Sequence, residues 1–366
     1  MRTIAAIADG HGRFSLEEIE VANPREGEVL VQIQAAGICH TDHASLSWKR
    51  PLVMGHEGAG VVLETGPGVD QVRVGDRVVL NWAIPCGNCY PCRRQKAVLC
   101  ESSKPAHVLA PSAGHAHAEG TRWQGRPIDR SFNLGTLCGL ALVREAAVTP
   151  IPECVPFTSA CIVGCGVMTG FGSAINVARV QPGDTVVVLG CGGVGLNVIQ
   201  GARIAGASRI IAIDLNPEGL ERARFFGATH VLQTHRGDQG LQELVESVKA
   251  LTEGRGADHA FEATSAPQLA FAPLLLVRNG GQAFQVSGIN DPVTVEMPWF
   301  MWNKTYQTPL YGDCLPSRDF PRIFGYYQTG DLKLDELVSR TYRLSELGQA
   351  MDDMLAGRNA KGVILF

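Results

Sequence analysis

Cys86, Cys89, Cys92 and Cys100 lie within fifteen positions, the first three at strict three-residue spacing. Four thiolates grouped in this way suit a tetrahedral Zn²⁺ with a filled coordination shell, a structural site that leaves no position open for substrate. The same donor set also holds iron–sulfur clusters, which stands as the alternative for this loop. Chance placement of core cysteines explains the spacing poorly.

A second set of candidate ligands is scattered. Gly37-Ile38-Cys39-His40-Thr41-Asp42-His43 closes a predicted strand, Gly55-His56-Glu57-Gly58-Ala59-Gly60 precedes another, and Cys165 stands in Gly164-Cys165-Gly166-Val167-Met168-Thr169-Gly170. Two cysteines and a histidine that leave one coordination position open are what a metal needs to receive a substrate oxygen. Spacing alone does not assemble this set. Its members are far apart, and a lone buried Cys or His is more often plain core.

The run Gly190-Cys191-Gly192-Gly193-Val194-Gly195 matches G-x-G-x-x-G between a predicted strand and a predicted helix. Glycine there permits a tight turn, close approach of backbone to a pyrophosphate, and helix–sheet packing, while the helix N-terminus offers unpaired N–H groups. The next strand, RIIAID, ends in Asp214, where an acid accepts hydrogen bonds from ribose hydroxyls and repels a 2′-phosphate. That favours NAD over NADP. A tight turn followed by a capping Asp is the plain alternative, weakened because loop, flanking elements and acid coincide.

The elements that must position these groups follow two grammars. Over the first part, short β-branched runs such as EVLVQIQ (28–34), GAGVVLE (58–64) and DRVVLNW (76–82) alternate with Gly- and Pro-rich turns, which predicts a β-rich domain. From TVVVLG onward, strands and amphipathic helices alternate: VGLNVIQGARIAGA, RIIAID, PEGLERARFFGA, LQELVESVKALTEG, ADHAFEA, a helix around APLLLV, then QAFQVSG. That order predicts a doubly wound parallel sheet. Aromatics and prolines after about 303 give way to the amphipathic LSELGQAMDDMLAG and a final strand GVILF. The expected organisation is residues 1–167, then an inserted nucleotide domain over 168–303, then a return of 304–366 to the first domain.

At 366 residues the chain is long enough for two cores. Hydrophobic residues at 45% and charged residues at 19% fit an ordinary soluble protein, and a net charge of −4 with no Lys/Arg block excludes nucleic acid as an expected partner. The charge-free run Cys154–Ala178 spans 25 residues but holds Pro156, Asn176 and four glycines, so buried core is expected and a membrane is not. The N-terminal apolar stretch ends at Asp9, too early for a secretory signal, and the eleven cysteines cannot all pair. Reduced thiols in the cytoplasm are the expectation.

The motifs G-H-E-G-A-G, G-I-C-H-T-D, the four-cysteine loop and G-C-G-G-V-G occur in the order and spacing of the zinc-containing medium-chain alcohol dehydrogenases. The chain resembles that family over essentially its whole length, down to GRNAKGVILF. The resemblance implies an α/β protein in which a Rossmann domain is inserted into a GroES-like β-rich catalytic domain. It implies two Zn²⁺ per chain and NAD, with Cys39, His56 and Cys165 as ligands of a catalytic zinc and Glu57 as an acid that approaches that metal transiently. Asp42 resembles the carboxylate that orients the ligand histidine. Thr41 stands at the family's hydroxyl position beside the substrate oxygen, and Trp82 at a bulky substrate-lining position. His40 and Lys361 fall where basic groups meet the cofactor pyrophosphate. Thr169, Gly190, Gly192, Gly193, Val194, Gly195 and Asp214 fall at other cofactor positions.

The implied reaction interconverts a primary alcohol, aromatic or allylic, and its aldehyde by hydride transfer from a zinc-held alkoxide to NAD. A homodimer or homotetramer is implied as well. Two departures from the family pattern stand out. The relay histidine expected five residues after Cys39 is Ala44 here, with His43 one residue earlier as a candidate replacement. A lysine often found over the adenine ribose is Gly219.

LNW and YGDCLPSRDFP also resemble enzymes that oxidise the formaldehyde adduct of a small thiol. That function needs basic groups such as Lys104 or Arg122 at the pocket mouth. A catalytically inactive dinucleotide-binding structural protein is the alternative outside enzymes, opposed by the intact Cys39, His56 and Cys165. His115 and His117 form an H-x-H pair in a Gly/Ala loop, where a solvated loop is the commoner explanation.

Overall fold

The computed structural model describes residues 1–102, 120–235, 237 and 241–366. Lys104, His115 and His117 lie outside the described residues. The described residues divide into two contact-dense units, Met1–Cys165 with Leu315–Gly330 and Leu334–Phe366, and Gly166–Cys314 with Asp331–Lys333.

The first unit is built on the long strand Glu28–Gly37. Val29, Leu30, Val31, Ile33, Ala35 and Ala36 are all buried, so both faces of this strand are covered. It pairs antiparallel with Ala59–Thr65, with Leu140–Arg144, and with Lys361–Leu365, the last strand of the chain. Register shifts against Ala59–Thr65, between Leu30 and Val31 and between Ile33 and Ala35, increase the local twist that a curled sheet needs. A second sheet holds the N-terminal hairpin, Arg2–Ala8 paired with Phe14–Val21. Its inward residues Ala5, Ile7, Ile19 and Val21 pack with Leu30, Val53 and Leu142.

In the second unit the described strands form a parallel sheet in the order His230–Gln233, Arg209–Asp214, Thr185–Leu189, Ala257–Glu262, Val277–Gln285, Thr305–Gln307. Every residue of Thr185–Leu189 is buried, as expected of a central parallel strand covered on both faces. Chain order reverses across this strand, which makes its carboxyl end a topological switch point. On one face Val187, Leu189, Ile211, Ile213 and Ala260 pack against Leu244 and Val248 of helix Gln242–Leu251 and against Leu276. Burying each such side chain stabilises the fold by roughly 1.5–3 kcal/mol.

Two boundaries differ from the sequence expectation. The first break falls at Cys165/Gly166 instead of 167/168, and the return falls at Cys314/Leu315 instead of 303/304. The physical reason for the later return is that Thr305–Gln307 adds a sixth parallel strand beside Val277–Gln285. The turn at Tyr311–Asp313 also stays with this unit, where Gly312 packs closely on Met168 and Gly172. Among the described residues no single helix is long and apolar enough to cross a membrane.

Candidate metal centres and dinucleotide loop

Strand pairing gathers the scattered ligands. Ala35 pairs with Ala59, so the chain running on to Cys39 and the chain arriving through His56 and Glu57 emerge from the same end of the sheet. Val363 pairs with Gly37, which brings Lys361 to that end too. Cys165 arrives after the turn Ile162–Gly164. Candidate ligand atoms of Cys39, His56, Glu57 and Cys165 all lie within 4.8 Å of one another.

Asp42 fixes two of them at once. It is fully buried at the start of the short helix His40–Ser45, where its Oδ2 accepts the Cys39 backbone N–H at 2.9 Å. Its Oδ1 lies 3.0 Å from His56 Nδ1. A carboxylate there selects the Nδ1–H tautomer and turns the lone pair of Nε2 toward the cluster. His56 Nε2 and Glu57 Oε2 are buried with no partner among the described residues. Buried polar atoms are nearly always satisfied, so two orphans beside two thiols mark the place of a cation. Two sulfurs and an imidazole are the donor set that zinc prefers.

The electrostatics point the same way. A hydrogen bond from the Cys165 thiol, opposed by burial and helped by His56, holds the Cys39 thiol well below its usual range. Lys361 is 5% exposed and donates to Glu57 Oε1 at 2.7 Å and to the Ile38 carbonyl at 3.0 Å. Burial pushes its ammonium down, but the charge of Glu57, then that of Cys39, more than reverses this. A side chain on Gly37 would overlap the Glu57 carboxylate, so glycine is required at that close approach. Lys361, expected from the resemblance at the cofactor pyrophosphate, here holds the Glu57 carboxylate and the Ile38 carbonyl.

Thr41 is half-buried with Oγ1 3.7 Å from Cys39 Sγ. His40 and His43, on the same helix, are exposed. Trp82 is buried, 5.1 Å from the Phe132 ring, which in turn lies 4.8 Å from His56 and 6.3 Å from Trp48. Phe132 and Trp48 were invisible in the sequence, since no motif marks them and only tertiary contact brings them to His56. Phe132 holds φ 52° and ψ 29°, a left-handed backbone that is uncommon for a bulky residue and clusters at functional sites. Arg122 donates to the Gly125 carbonyl at 3.1 Å within its own hairpin.

The four-cysteine loop is self-contained. Candidate sulfurs of Cys86, Cys89, Cys92 and Cys100 lie within 4.8 Å of one another, and Cys100 Sγ accepts the Cys86 backbone N–H at 3.3 Å. Crowding divides their proton affinities. The Ser102 hydroxyl, with backbone N–H groups, draws Cys86 down to about 6, while burial, then Cys89, pushes Cys92 up to about 12. A divalent cation resolves that conflict by taking all four as thiolates.

In the second unit Gly190 ends the central strand at φ +94°, and a Cβ there would stand 2.9 Å from the Ala263 carbonyl. Gly195 packs against the Gly190 carbonyl so closely that no side chain fits. Gly192 caps the helix Gly193–Ile204, whose first turn holds Val194, and a Cβ on Gly192 would meet nothing within 4 Å, which leaves that side open to a ligand. Asp214 accepts from the Cys191 N–H at 2.7 Å and the Asn216 N–H at 2.8 Å. It therefore ties the glycine loop to the second strand. Gly219 backs it, with a hypothetical Cβ 3.3 Å from the carboxylate. Thr169 is nearly buried in helix Gly166–Gly172, its carbonyl accepting from Ser173 Oγ at 2.6 Å.

Comparison with known proteins agrees with this construction. The family model described as alcohol dehydrogenase GroES-like domain matches residues 25–153, and that described as zinc-binding dehydrogenase matches residues 193–325. An NDMA-dependent alcohol dehydrogenase of Amycolatopsis methanolica is 36% identical, the match covering 100% of this chain and 99% of that protein. An S-(hydroxymethyl)glutathione dehydrogenase of Paracoccus denitrificans is 33% identical, with 100% of both chains covered. The crystal structure of benzyl alcohol dehydrogenase from Acinetobacter calcoaceticus matches with a TM-score of 0.89 at 29% identity, covering 100% of this chain and 99% of that one. A GroES-like domain, an inserted Rossmann domain, two cysteine-based metal centres and full-length relatives above 30% identity converge: the chain belongs to the zinc-containing medium-chain alcohol dehydrogenases, a family of oxidoreductases.

Proposed function

We propose that this enzyme interconverts a primary alcohol, aromatic or allylic, and its aldehyde with NAD(H), at a catalytic zinc held by Cys39, His56 and Cys165. The observation that carries the substrate class is the aromatic cluster in which Phe132 lies against the ring of His56, with Trp48 and Trp82 against Phe132. When bound, zinc supplies Lewis acidity at the substrate oxygen and NAD supplies the hydride acceptor. Asp42 keeps the Nδ1 proton on His56 and aims Nε2. The Thr41 hydroxyl holds the proton that leaves the substrate, and exposed His43 on the same helix passes it toward solvent. Trp82 and Phe132 exclude water and orient an apolar substituent. Glu57 offers Oε2 to the cluster while Lys361 holds Oε1.

The glycine loop and Asp214 support NAD in preference to NADP. Cys86, Cys89, Cys92 and Cys100 hold a second, structural zinc, giving two per chain. The edge strand Thr305–Gln307, beside exposed Met297, Met301 and Trp302, supports a homodimer or homotetramer. Eleven cysteines in one chain, four of them grouped at metal-ligand spacing, support a reducing, cytoplasmic setting.

Purified enzyme assayed with NAD should turn over benzyl-type alcohols and carry two zinc ions per chain. Oxidation of formaldehyde only when a small thiol is added, with benzyl-type alcohols inert, would overturn the substrate class.

A further inference from the structure

Glu262 is fully buried at the end of the parallel strand Ala257–Glu262, and neither metal centre involves it. A buried carboxylate is costly unless donors surround it. Here they do. Oε1 accepts from the Thr264 N–H at 2.6 Å, the Thr264 hydroxyl at 2.5 Å and the Ser265 N–H at 3.1 Å. Oε2 accepts from the Ser287 hydroxyl, and Ser287 Oγ itself accepts from the Ser265 N–H at 3.1 Å. Ser265 has a left-handed backbone, φ 62°, which these bonds hold in place.

One carboxylate thus ties the turn after its own strand to the turn after Val277–Gln285. The first of those turns also backs the phosphate loop, because Ala263 and Thr264 are the atoms that a Cβ on Gly190 would strike. The strand order places Asp214 on one side of Thr185–Leu189 and Glu262 on the other. A dinucleotide lying across the carboxyl ends at this switch point has its adenosine over Asp214 and its pyrophosphate at the glycine loop. Its nicotinamide half then lies over the turns that Glu262 joins.

Resting on the NAD reading above, we infer that Glu262 is a positioning residue for the nicotinamide half of the cofactor. It does so by holding the turn at Ala263–Ala266 and the turn at Ser287 at a fixed separation. Its own oxygens face those turns and not the ligand.

The test compares NADH with AMP, which carries only the adenosine end, by fluorescence titration and competition on the zinc-loaded enzyme. Glu262→Ala should weaken NADH by about tenfold or more and leave AMP unchanged. Glu262→Gln, which keeps an acceptor at the Thr264 and Ser265 amides, should restore most of the loss. Parallel weakening of AMP, or unchanged NADH affinity in a folded variant, would overturn the inference. If Glu262→Ala does not fold, Ser287→Ala breaks the link between the turns with less disruption. A several-fold loss of NADH affinity with AMP intact supports the inference, and no loss overturns it. A wild-type enzyme that binds neither NADH nor AMP overturns both this inference and the NAD reading, whereas normal wild-type binding with unaffected variants overturns this one alone.

Discussion

The two metal centres of the first unit are made of similar donors in opposite ways. The four-cysteine loop draws its ligands from one continuous segment, with Cys86, Cys89 and Cys92 half-buried and Cys100 buried. The Cys39–His56–Cys165 centre draws on three segments, buries its polar atoms, and leaves two of them without partners. On the proposed reading the difference follows from what each construction is for. A closed shell needs only local geometry. An open coordination position needs rigid elements on several sides that keep further ligands out.

Substitutions should separate the two centres sharply. Cys39→Ser should cut kcat/KM by about a thousandfold or more while one zinc per chain remains by elemental analysis. A variant with full turnover would dissolve the distinction. Asp42→Asn keeps the shape but weakens the hold on His56, and should lower activity or metal affinity by about 10–100-fold. Phe132→Ala should raise KM for a benzyl-type alcohol by about tenfold while a short aliphatic alcohol is little affected. Equal effects on both would remove the aromatic cluster from the substrate reading. Cys100→Ser should instead lower the Tm by about 5 °C or more and leave the residual folded enzyme active.

A third network serves as a reference for stability without metal. Asp353 accepts from the Tyr342 hydroxyl at 2.7 Å, from Arg358 at 2.7 Å, from Gln349 at 2.8 Å and from Arg340 at 3.0 Å. These bonds, that of Tyr342 foremost, hold its carboxyl down to about 2. A depressed carboxylate stabilises the fold above the ordinary Asp range near ~3.9, and the contribution fades as pH falls through about 2. Asp353→Asn should therefore melt below wild type at neutral pH, and the gap should close on the acid side. A gap that persists at pH ~2 would mean that charge is not its source.

The contrast between the centres also explains what could be read before folding. Cys86 to Cys100 and Gly190 to Gly195 are local patterns, and local spacing carries their geometry directly. Cys39 and His56 meet because Glu28–Gly37 pairs with Ala59–Thr65, and Cys165 joins them from a third segment after Ile162–Gly164, so their grouping came from family resemblance and not from spacing. Phe132 and Trp48 left no trace at all. The basic character of position 361 was legible from the family pattern, whereas the contact of Lys361 with Glu57 depends on the register of the last strand. The boundary near 303 followed a change of composition. The three-residue strand Thr305–Gln307, too short to show a period, carries the sheet past it.

Asp42 grips the Cys39 backbone and the His56 ring through its two carboxylate oxygens. The imidazole and the thiol-bearing turn are therefore aimed by one side chain, and neither can shift without pulling on the other. Two donors from distant parts of the chain are in this way geared together, so that an error of placement in one is shared by both.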